Sequence, residues 1–95
     1  MSQGIQGVAL TLLDAVGATG ASKEFTPSAY KVNFQIIISA AATCTIQGSL
    51  DGTNWTTVGT AATATGWVLA DAPYKYLRAN VTAFTSGTVT CKAFY

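Results

Sequence analysis

Along most of this chain apolar and polar residues alternate one for one, the period of a strand with one dry face rather than of a helix. KVNFQIIIS puts Val32, Phe34, Ile36 and Ile38 on one side and Lys31, Asn33 and Gln35 on the other. YLRANVTA sets Leu77, Ala79, Val81 and Ala83 against Tyr76, Arg78, Asn80 and Thr82. GTVTCKAFY sets Val89, Cys91 and Ala93 against Thr88, Thr90 and Lys92, and Val8, Leu10 and Leu12 form a further inward row. The pattern predicts seven strands, at about 7–14, 30–39, 43–50, 54–60, 66–70, 75–84 and 87–95. A short eighth could lie near 24–26, with Pro27 then at its end, where a missing N–H does little harm. β-Branched and aromatic residues fill these segments, and turn signals separate them at Gly17–Gly20, Asp51-Gly52, Ala72-Pro73 and Ser86-Gly87. Many short strands with regular turns point to an all-β fold, a two-sheet antiparallel β-sandwich of jelly-roll-like topology. At 95 residues there is room for one domain, expected over 8–95, preceded by a flexible polar arm over 1–7 that could order against a neighbour.

Charge changes the picture. Only 9% of residues are charged, where about 25% is usual, and the net charge is +1. Thr, Ala and Ser take the places where Lys and Glu ordinarily keep copies apart. Such an exterior suits a subunit whose faces are covered by neighbours, so a homo-oligomer is expected. Nucleic acid is not expected as a partner, because the densest basic stretch, YKYLR, offers just Lys75 and Arg78. A membrane is not expected either, since no run approaches the roughly 18 apolar residues of a spanning helix. The start, MSQGIQGVAL, has neither a basic n-region nor a continuous apolar h-region, so synthesis and folding in a cytoplasm are expected. Cys44 and Cys91 then read as reduced, buried thiols, with a disulfide between them left open.

The stretch SLDGTNWTTV carries the strongest hairpin signal, Asp51-Gly52 between alternating apolar residues. Loop parity decides where Trp55 points. A two- or four-residue loop puts it on the face of Ile46 and Leu50, with Gly48 leaving room for the indole in the two-residue case. A three-residue loop with a bulge turns it outward. The even loops, and a packed Trp55, are expected. The outward register would allow a carbohydrate site from Asp51, Asn54 and Trp55, with Trp67, Tyr74 and Tyr76 as further aromatics. The loop's single carboxylate is poor for calcium, and the absence of His with two distant Cys is poor for zinc. No metal or cofactor is expected.

Catalysis is not expected. Without histidine neither the Ser-His-Asp nor the Cys-His systems can be built. No closely spaced carboxylate pair serves glycoside chemistry, and GATGAS has the glycines of a phosphate loop without its Lys or helix. Function should therefore reside in faces. The outward row Tyr74, Tyr76, Arg78 and Asn80 is the candidate interface, because Tyr and Arg are favoured at interface centres.

TIQGSLDGTNWTTVGT, followed by APYKYLRANVTAFTSGTVTCKAF, resembles small β-sandwich proteins encoded among the virion genes of tailed bacteriophages. The likeness covers roughly Thr45 to Phe94. It implies a non-enzymatic virion part assembled in the host cytoplasm, foremost a capsid decoration or cement protein that binds the major capsid protein or other virion proteins. A fibre or adhesin-like component that contacts a surface glycan, and a head–tail or tail part, are the alternatives.

Overall fold

The computed structural model describes residues 9–27, 31–71 and 74–95, and eight strands run through them. They are β1 (Ala9–Val16), β2 (Gly20–Ala21), β3 (Lys31–Ile38), β4 (Ala41–Ser49), β5 (Thr56–Ala62), β6 (Gly66–Asp71), β7 (Tyr76–Ser86) and β8 (Val89–Phe94). All ladders are antiparallel and fall into two four-stranded sheets, ordered β1-β8-β3-β6 and β2-β7-β4-β5. The chain changes sheet at nearly every connection, and only the β4–β5 hairpin stays within one layer. This is the expected two-sheet antiparallel β-sandwich. The arm expected at 1–7 and the Ala72-Pro73 turn lie outside the described residues.

The two inner faces close on each other as the alternation dictates. Val32, Phe34, Ile36 and Ile38 of β3 meet Ile46 of β4 and Leu77, Ala79 and Val81 of β7, all buried. Val89, Cys91 and Ala93 add the inner row of β8. Phe25 closes one end of the core. Its ring stacks on Tyr95 at 5.5 Å and meets Phe34 edge-on at 6.2 Å, and its backbone bridges Leu77. Cys44 and Cys91 sit in opposite sheets on strands that do not pair, yet they meet across the core as free thiols joined by a hydrogen bond. That bond and burial push the Cys91 thiol well above its ordinary range.

Three local expectations need correction, the first two because a bulge breaks the alternation. In β1 the ladder slips between Thr11 and Leu13, so Leu13 rather than Leu12 is the fully buried residue opposite Cys91. In β7 it slips beside Thr43/Cys44, which leaves Ala83 exposed and brings Phe84 against the core instead. The eighth strand lies at Gly20–Ala21 against Asn80 and Val81, inside the stretch expected to be turn, and the 24–26 segment contributes only the Phe25 bridge.

Candidate interaction surfaces

The outer face of the β2-β7-β4-β5 sheet carries most of the residues expected to make contacts. Tyr76, Arg78 and Asn80 stand outward on β7, opposite Ser49, Gln47 and Thr45 of β4. The Arg78 guanidinium lies 4.0 Å over the Trp55 ring, and its Nε donates to Gln47 Oε1 at 2.8 Å. Asn80 Nδ2 donates to the same oxygen at 3.4 Å, and the Thr45 and Thr82 hydroxyls share a hydrogen bond of 3.3 Å. Lys75 covers the Tyr76 ring at 5.5 Å. The polar groups of this face are thus engaged with one another. Tyr74 does not belong to the row. The chain bends before β7 begins, and the Tyr74 ring turns to the core side of Gly48, where a Cβ would lie 2.7 Å from its Cε1.

That packing overturns the expected hairpin geometry. Ile46 pairs with Val58 and Gly48 with Thr56, which leaves the odd stretch 49–55 as the link between them. The register therefore puts Trp55 on the face of Gln47 and Arg78, half-buried, and the space beside Gly48 is filled by Tyr74 rather than by the indole. Leu50 is exposed at the tip.

The loop is closed by its own side chains. Asp51 Oδ1 accepts from the backbone N–H of Thr53 and of Asn54, both at 2.8 Å, and from Ser49 Oγ at 2.9 Å. Asn54 Nδ2 donates to Asp51 Oδ2 at 2.7 Å. Ser49 Oγ accepts in turn from the N–H of Asp51 and Gly52. These donors, the backbone amides of Asn54 and Thr53 foremost, hold the Asp51 carboxyl well below the usual carboxylate range. Asp51 and Asn54 line a groove of about 350 Å³ with Tyr74 and Leu50, and Trp55 lies outside it with one ring face covered by Arg78. The three candidate glycan residues are adjacent in sequence but do not form one platform.

The opposite face, on β1-β8-β3-β6, is of another kind. Its cross-strand rows run Ala9–Phe94–Asn33–Leu69 and Thr11–Lys92–Gln35–Trp67, with Ile37 beside Thr90. Trp67 is 67% exposed, Leu69 51%, Phe94 44% and Ile37 39%. Among the described residues these are four of the five large apolar side chains left open to solvent, and all four share this face. A shallow groove of about 390 Å³ runs between Trp67, Phe94, Gln35 and Lys92. Lys92 stands in the middle of the face, and Lys31 and Asp71 mark one rim. Single exposed apolar residues are unremarkable on a protein surface, but four gathered on one sheet face mark a contact region. The sequence does hold a signal for it. The runs III at 36–38 and GWVLA at 66–70 are apolar without interruption, the mark of strands covered on both faces.

No group of three His, Cys, Asp or Glu residues able to hold a metal ion occurs among the described residues. No family model matches the chain, and no curated protein matches it. Among solved structures it is similar to the SPBc2 prophage-derived protein YomS, with a TM-score of 0.82 and 16% sequence identity, over 99% of this chain and 96% of that one. The two share the whole sandwich at an identity that carries the fold alone.

Proposed function

We propose that this protein is a non-enzymatic structural part of a phage particle, and within the particle a decoration or cement protein on the capsid. The observation that carries this is the outer face of β1-β8-β3-β6, where Trp67, Leu69, Phe94 and Ile37 stand open on a chain with only 9% charged residues. Such a face is stable in water only at a cost, which covering it removes. A standard protein contact buries roughly 800 Å² on each partner, and symmetry repeats it many times over a shell. Binding that favours the assembled state stabilises it by mass action without any chemistry. The sandwich shared with a prophage-derived protein supports the same reading. The natural partner is the major capsid protein or another virion protein with an apolar seam.

The test is quantitative mass spectrometry on particles purified from the strain that carries the gene, followed by imaging with this chain located. The expected result is a fixed copy number per particle, with density on the capsid exterior. Particles that lack the protein altogether would overturn the proposal. Density confined to the neck, tail or fibre would overturn the decoration assignment and keep the structural one.

A further inference from the structure

A sandwich has four edge strands, and this chain treats three of them alike. An open edge offers unpaired N–H and C=O groups to any passing strand, and folded proteins blunt it with bulges, brevity, charge or proline. β1 is interrupted by register shifts between Thr11 and Leu13 and between Leu13 and Val16, with Ala15 in the left-handed region at φ 51°. β5 is bulged between its partners of Cys44 and Ile46, around Gly59 at φ 72°. β2 is only two residues long. β6 is different. It pairs with β3 without a shift from Gly66 to Asp71, contains no proline, and carries no charge before Asp71 at its end. No described strand pairs with its other side.

We propose that β6 is a dimerisation strand, pairing antiparallel with β6 of a second copy across a two-fold axis and joining the two β1-β8-β3-β6 sheets into one eight-stranded sheet. Three features select a second copy as the occupant. A two-fold axis normal to the sheet keeps each side chain on its own face, so Trp67 and Leu69 of one copy meet outward residues of the other. A register centred on Val68 sets Trp67 against Leu69 twice, giving two aromatic–aliphatic cross-strand pairs from the two most exposed residues of the face. The same register carries the two Asp71 carboxylates to opposite ends of the junction, so no like charges meet. Val68 and Ala70 are buried on the other side of the strand and anchor it to the core. The proposal rests on the edge itself and does not require the protein to be a virion part.

Sedimentation equilibrium on the full chain, with pair distances from spin labels, tests it. A dimer is expected, and the W67K/L69K variant should weaken it at least 100-fold while keeping the wild-type circular dichroism and melting temperature. Labels at Lys92→Cys and Thr11→Cys, on β8 and β1, separate an edge junction from two faces stacked together. Strands spaced by roughly 4.8 Å put the Lys92 pair about 24 Å apart and the Thr11 pair about 34 Å apart. A face-to-face stack gives short and nearly equal distances at both sites and would overturn the proposal. So would a monomer at millimolar concentration, or a dimer indifferent to W67K/L69K. If the dimer forms by this edge but no particle contains the protein, this proposal stands and the virion reading fails. Single copies on particles with no dimer in solution give the reverse.

Discussion

The two outer faces of this sandwich differ in what their side chains are already doing. On β2-β7-β4-β5, Arg78 is stacked on Trp55 and bonded to Gln47, Asn80 reaches the same Gln47, and Thr45 meets Thr82. On β1-β8-β3-β6, Trp67 and Leu69 are more than half open. Residue type alone favours the first face as an interface, since Tyr and Arg are typical anchors. Geometry favours the second, because an anchor must be free to enter a partner. A guanidinium held over an indole in its own sheet is a stabilising contact of the monomer before it is anything else.

The difference can be sharpened by substitution, from the largest expected effect down. Phe34→Ala removes the large buried ring that Phe25 packs against edge-on, and should cost about 3–5 kcal/mol of unfolding free energy by chemical denaturation. Gly48→Ala drives a methyl into the Tyr74 ring and should cost about 1–3 kcal/mol in the same assay. A neutral result there would mean that Tyr74 leaves the core side freely. On the polar face, a double-mutant cycle between Trp55→Ala and Arg78→Ala should give a coupling of about 0.5–1 kcal/mol. Zero coupling would remove the claim that this face is engaged with itself. On the open face, Trp67→Ser should change monomer stability by less than about 0.5 kcal/mol while weakening self-association.

The hairpin loop adds a pH signature. Asp51 has its carboxyl held below the usual range by the N–H groups of Asn54 and Thr53, so the folded state prefers the ionised form. Its stabilising contribution is fully present above the ordinary carboxylate pKa and is lost as pH falls below it toward the depressed folded value. Melting temperatures followed from pH 6 downward should therefore decline on the acid side for the wild type. Asp51→Asn should start lower and show a shallower decline. Equal slopes would mean that the loop does not depend on that charge.

Much of the fold was written in the alternation. The inward rows of β3 and β8 are buried residue for residue as the period of two requires. What the pattern could not carry were the places where a ladder slips, because a bulge costs one residue and leaves no composition signal of its own. The slip in β1 exchanged Leu12 for Leu13, and the slip in β7 exchanged Ala83 for Phe84. The odd register of the β4–β5 link, fixed by the Ser49–Asp51–Asn54 network, sent Trp55 outward. Tyr74 was misplaced for a related reason, since the chain bends before β7 and ends the alternation one step earlier than the sequence row implies. Tyr76, Arg78 and Asn80 do stand on one outer face as expected. The open apolar face was missed although its signal was present. Ile37, Trp67 and Leu69 sit in unbroken apolar runs, and such runs denote strands covered on both sides. Here the described chain covers one side only.

Hydroxyl-radical footprinting, comparing the isolated chain at low concentration with its assembled form, sets the two faces directly against each other. Trp67, Leu69 and Phe94 should lose most of their reactivity on assembly, while Trp55 and Tyr76 stay as they were. Protection of Trp55 and Tyr76 with Trp67 unchanged would show that the wrong face has been assigned.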